Sequence, residues 1–162
     1  MKKIKWYLIA VNLVGLLVFF NFGILSKENI LTEGDLVLLE LAPVDPRSLM
    51  QGDYMRLRYE ISERTYDSDS IPKRGYYVLK LNDSGIAKKI RIQEQLNPLN
   101  KNELLIKYTS DNWNLNIGAE SFFFQEGEGE KFEAAKYGGL KIDKEGNSIL
   151  IGLYDENLNL IK

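Results

Sequence analysis

The sequence predicts a mainly β protein of the α+β class, with one N-terminal transmembrane helix followed by a compact antiparallel β barrel or sandwich carrying one short helix. Three observations lead there. Residues 6–25 are an uncharged apolar run, and as a helix this run spans about 30 Å, the thickness of a bilayer's hydrocarbon core. Beyond it, short apolar stretches alternate with turn-forming clusters such as Asn82-Asp83-Ser84-Gly85, the pattern of strands joined as antiparallel neighbours. Finally, Asp53, Met55, Leu57, Tyr59 and Ile61 alternate with Tyr54, Arg56, Arg58 and Glu60, which puts the two sets on opposite faces of a half-buried strand.

The anchor divides the chain. Residues 1–5 form a basic cytoplasmic flank, 6–25 the transmembrane segment, 26–33 a short linker, 34–155 an extracytoplasmic β-rich domain, and 156–162 a loosely held tail. Lys2, Lys3 and Lys5 precede the apolar run, whereas Lys27 is countered at once by Glu28. The excess of lysine before the span places the N-terminus in the cytoplasm and the rest outside, at the cell membrane. Trp6 and Tyr7 stand where aromatic rings favour the headgroup boundary. A cleaved signal peptide would have a shorter apolar region and a small-x-small site, which Asn21-Phe22-Gly23 imitates poorly. The segment therefore reads as retained.

Along the β region, residues 36–42 are an apolar run interrupted only by Glu40, suited to a strand covered on both faces. Residues 62–74 are polar and read as a loop. Residues 75–81 and 86–94 form a hairpin about the 82–85 turn, and 103–109 follow as a strand with Leu104, Ile106 and Tyr108 on one face. Residues 111–116 read as a loop with Trp113 folded back onto the body. Residues 121–125 are a short aromatic strand. The spacing of Phe132 and Ala135 predicts a short helix over 131–137, stopped by Gly138 and Gly139. A last hairpin joins 140–143 to 148–154.

Composition excludes much chemistry. With no cysteine and no histidine, there is no thiol nucleophile, no thiolate metal site and no Ser-His-Asp triad. All 23 acids but only 17 of the 21 basic residues fall in 28–162, a net charge of −6. Such a domain is unsuited to nucleic acid, which is held by Lys and Arg on phosphates.

Residues 42–61 gather the candidate functional groups. Asp45 before Pro46 is a helix-start pair, and Gly52 sits where a turn needs a residue tolerant of positive φ. Asp45, Arg47 and Asp53 could hold a cation or a polar ligand, although capping and ion pairing explain them as well. Tyr54, Arg56 and Arg58 form a candidate contact surface. Gly52-Asp53-Tyr54, with Leu57 and Tyr59, spells G-D-Y-x-x-L-x-Y, and Pro43, Asp45, Pro46 and Arg47 stand just upstream. Together these residues resemble the GDYXXLXY family of membrane-anchored bacterial proteins. The likeness continues through Gly118-Ala119-Glu120-Ser121-Phe122-Phe123 and the stretch 125–129. The resemblance implies an architecture with no established activity. It also implies a multi-spanning membrane protein as partner, because family members are often encoded beside one.

Two sharper chemistries compete with this reading. Ser48 with Lys88 or Lys89 superficially resembles the Ser/Lys pair of type I signal peptidases, in which a desolvated lysine deprotonates the serine. The residues around Ser48 depart from that pattern: Met does not follow the serine, and the run after Lys89 lacks Gly-x-Pro-Gly-Asp. Glu126, Glu128 and Glu130 offer oxygens for calcium, yet their spacing is not that of a calcium loop, and acidic residues also suit a helix start. The sequence thus points to a non-catalytic binding or assembly module with no metal or cofactor. A Ser/Lys hydrolase and an extracytoplasmic small-ligand receptor are the alternatives.

Overall fold

The computed structural model describes residues 2–42, 54–63, 71–111 and 114–162. Helix α1, Lys2–Glu33, is one unbroken rod, about 48 Å long at the usual helical rise. Its residues 4–29 are exposed, and the segment is long and apolar enough to cross a membrane. The helix does not end at residue 25. It runs straight through 26–33, which the sequence assigned to a linker, and enters the β body directly.

That junction is packed. Ile30 is buried, the Gly34 N–H donates to the Ile30 carbonyl at 3.0 Å, and Lys141 Nζ donates to the Gly34 carbonyl at 2.7 Å. Gly34 has to be glycine, because a Cβ there would meet the Ile30 carbonyl and stand 3.1 Å from that of Ile142.

The β body is a sandwich of antiparallel sheets, and its sheets do not close into a barrel. Strand β1, Asp35–Glu40, pairs with β8, Tyr137–Ile142, which pairs in turn with β9, Ser148–Tyr154. The second sheet has the order β4-β3-β5-β6, from Ala87–Gln93, Arg74–Leu81, Glu103–Ser110 and Leu115–Asn116. A two-stranded ribbon joins β2, Tyr54–Arg56, to β7, Ser121–Phe123. All three contribute to one core, with Val37, Leu39 and Leu140 from the first sheet, Tyr77, Leu79 and Ile106 from the second, and Met55 from the ribbon.

Local sequence explains most elements. The β3–β4 turn is closed by Asn82 Oδ1, which accepts from the Ser84 and Ile86 amides at 3.0 and 2.9 Å. In β1 the consecutive residues Val37, Leu38 and Leu39 are all buried, as a strand covered on both faces requires.

Three further expectations need correction. The helix predicted over 131–137 is a single turn, α2 at Gly129–Phe132, and Tyr137 opens β8. Ladder bonds win there: the Lys136 N–H donates to Tyr154 O at 2.8 Å while its carbonyl accepts from Leu41 N at 2.9 Å. The 111–116 segment is partly a strand, since Leu115 and Asn116 pair with Ser110 and Thr109; Trp113 lies outside the described residues. The tail is also held, because the Ile161 N–H donates to Leu153 O at 2.9 Å and Leu160 bridges Tyr154.

One polar clamp secures the link between β4 and β5. Arg91 grips Glu103 with two bonds of 2.7 and 2.8 Å and also donates to Pro98 O. Glu103 accepts further bonds from the Asn100 amide and side chain. The Arg91 bond first, then the Asn100 bonds, bring the Glu103 carboxyl down to about 2. A group depressed on folding stabilises fully above its unfolded pKa and loses that contribution as pH falls through the folded one. The melting temperature should therefore drop between about pH 4.5 and 2, and Glu103→Gln should flatten that part of the curve; an unchanged acid slope in the variant would remove Glu103 from the account.

Candidate functional site

Residues 54–61 follow the two-residue alternation through the whole stretch. Met55, Leu57, Tyr59 and Ile61 are buried, and Tyr54, Arg56, Arg58 and Glu60 are exposed. The backbone is not a single strand, however. Ladder pairing with β7 covers only 54–56, Tyr59 forms an isolated bridge to Leu41, and a 3₁₀ turn follows at Glu60–Ser62.

Tyr59 is the hinge of this arrangement. Its ring is 1% exposed, and its hydroxyl donates to the Ala119 carbonyl at 2.7 Å. Burial, then the Glu120 charge, pushes its pKa up, so it is a neutral phenol acting as a hydrogen-bond donor. The ring lies against Gly138 of β8, where an added Cβ would be 2.9 Å from a ring carbon. On the next residue, Gly139, the ring of Tyr154 leaves no room either. The glycine pair thus serves as a floor for two tyrosines.

Backbone bonds tie the same stretch to two other segments. Ala42 N donates to Arg58 O at 2.8 Å, and Leu57 N donates to Glu120 O at 2.7 Å. The Glu120 carboxylate in turn accepts from the Ile117 and Gly118 amides. The motif residues Leu57 and Tyr59 therefore contact the 118–120 stretch directly, although 60 residues separate Tyr59 from Ala119.

The model of the GDYXXLXY protein family matches residues 16–153. The chain belongs to the GDYXXLXY family. No curated protein and no solved structure matches it. Within this GDYXXLXY protein, the signature's Leu57 and Tyr59 are core residues, while Tyr54 lies at the surface against Phe123, with ring centroids 5.8 Å apart. Pro43, Asp45, Pro46, Arg47, Ser48, Gly52 and Asp53 lie outside the described residues.

The other candidates separate in space. Lys89 Nζ donates to the Ile61 carbonyl at 2.8 Å and stands 5.2 Å from the Tyr77 ring centroid. Burial lowers its pKa, partly offset by Glu60, but its proton is already engaged by that carbonyl. Lys88 is exposed. Glu128 pairs with Lys131 at 2.5 Å, while Glu126 and Glu130 face solvent, and no three metal-ligating side chains converge among the described residues. Along β4 runs an open groove of about 880 Å³ lined by Ile71, Pro72, Ile92 and Leu115, with Lys89 and Arg91 at its side. Both of these cations are already bonded within the protein, and Glu63, Gln93 and Glu94 add polar groups to the lining.

Sequence alone did not find Gly138 as the partner of Tyr59. The available signal was a glycine pair beside a strand-like run, which in a strand interior marks close approach of another group. Gly138→Ala should cost about 1–3 kcal/mol through overpacking, and Tyr59→Phe about 1–2 kcal/mol through the orphaned Ala119 carbonyl. A Tyr59→Leu background should relieve much of the alanine cost, giving a coupling of at least 0.5 kcal/mol in a double-mutant cycle of about that usual size. Arg56→Ala and Arg58→Ala should each shift stability by less than about 0.5 kcal/mol. Chemical denaturation of these variants checks all of this.

Proposed function

We propose that this GDYXXLXY protein is a membrane-anchored, extracytoplasmic binding or assembly module, non-catalytic and accessory to a multi-spanning membrane protein. The observation that carries the proposal is the packed junction at Ile30 and Gly34. A long apolar helix continuous with a β body suits a device that presents a fixed surface at a membrane. A freely hinged enzyme head would gain nothing from that junction.

The character of the signature residues supports the same view. Leu57 and Tyr59 build the core and position Tyr54, Arg56 and Arg58 on the exposed side of the same stretch. Orientation follows from the lysines at 2, 3 and 5, which favour the cytoplasmic side.

Because the chain has no cysteine, single introduced thiols report on topology without background. In intact cells, Ser84→Cys should react with a membrane-impermeant maleimide and Lys2→Cys should not. Crosslinking in intact cells, followed by identification of the captured chains, should return a multi-spanning membrane protein. Labelling of position 2 and protection of position 84 would reverse the topology; capture of soluble proteins alone would remove the accessory role.

A further inference from the structure

We propose that the exposed face of the β2–β7 ribbon is a surface for a second copy of this chain, in which Arg56 and Arg58 of each copy meet Glu126 and Glu130 of the other. The dimer rests on charge complementarity, and its strength and orientation in a membrane rest on the anchoring proposed above.

The surface is unusual for a domain of net charge −6. Tyr54 is 37% and Phe123 73% exposed, directly opposite one another in the ladder, with Arg56 opposite Ser121. Neither arginine forms an ion pair among the described residues, whose ion pairs are Arg91–Glu103, Lys131–Glu128 and Lys136–Glu40. Two uncompensated guanidinium groups flanking solvent-exposed aromatic rings have the composition of an interface core, where arginine and aromatics are enriched.

The complementary charge lies close by on the same chain. Strand β7 leads from Phe123 into a turn in which the Glu128 N–H donates to Gln125 O at 3.0 Å, and this turn presents Glu126, with Glu130 exposed just beyond it. Ser121, beside Arg56, and Glu126 are separated by up to about 16 Å of extended chain. Among the described residues no ion pair joins these basic and acidic groups within one molecule. A two-fold axis passing near Phe123 brings each set onto its opposite in the partner and buries the two Phe123 rings together. Such self-complementarity is what an isologous interface requires.

The position of the ribbon fits. Strand β1 runs away from the end of α1, Leu41 lies opposite Tyr59, and residues 58 to 54 continue past the end of β1. This puts Tyr54 on the order of 30 Å of extended strand from the helix end. Two copies in one membrane share that height, and confinement to a plane raises their effective concentration, so that a small surface suffices.

The test uses the purified full chain with Ser121→Cys as its only thiol, treated with a short bifunctional maleimide in detergent and in membranes. Covalent dimers should form from position 121 and not from Ser84→Cys in the β3–β4 turn. Arg56→Glu with Arg58→Glu should lower the dimer yield by about tenfold or more, and so should Glu126→Lys with Glu130→Lys. Mixing these two variants should restore it, which neither could do if misfolded. Should the reversals shift the melting curve, Arg56→Gln with Arg58→Gln gives a milder version of the same loss. The proposal is overturned by a monomer throughout, by equal yields from position 84, by indifference to both reversals, by failure of the mixture, or by capture of a different protein at position 121.

Discussion

Tyr59 seated on Gly138 is the contact on which the rest of the β body depends. The ring fills the space between the end of β1, the floor of β8 and the 117–120 segment, and its hydroxyl satisfies the Ala119 carbonyl inside the core. A buried phenol without that acceptor would carry an uncompensated polar group, and a side chain on β8 would exclude the ring altogether. The position therefore demands three things together: an aromatic ring at 59, no Cβ at 138, and a free carbonyl at 119.

The same contact explains how one stretch can serve two purposes. Because Leu57 and Tyr59 are locked inward, the residues between them are forced outward by the two-residue repeat. Tyr54, Arg56 and Arg58 are exposed as a geometric consequence of the core. A surface mounted in this way inherits its rigidity from buried packing, which a mobile loop could not supply.

Much of this was legible in the sequence, and the failures have physical reasons. The alternation over 54–61 and the apolar run of 36–42 are legible from side chains alone, because in those stretches burial and local pattern agree. So was the hairpin about Asn82, whose carboxamide closes the turn within a few residues. Residues 131–137 misled because lysine, alanine and glutamate favour a helix locally, whereas the chain there is drawn into a ladder between β1 and β9. The tail misled because its partners, Leu153 and Tyr154, lie across a hairpin that composition does not reveal. The helical course of 26–33 was missed for a similar reason: polar residues after an apolar run look like a spacer, and only the buried Ile30 and the close fit at Gly34 show that the rod continues. The meeting of 57–59 with 118–120 was signalled only as two separate regions of family likeness.

The unbroken rod from α1 into β1 has a mechanical corollary. A body joined to its post without a swivel cannot scan its surroundings; it turns only when the post turns. Residues 26–33 add about 12 Å of stiff helix, so in the arrangement proposed above the β body would ride at a set elevation, facing one compass bearing relative to the helix below. Any twist or tilt imposed on that helix by neighbours within the lipid would then swing the whole β body, ribbon included, through a proportionate arc.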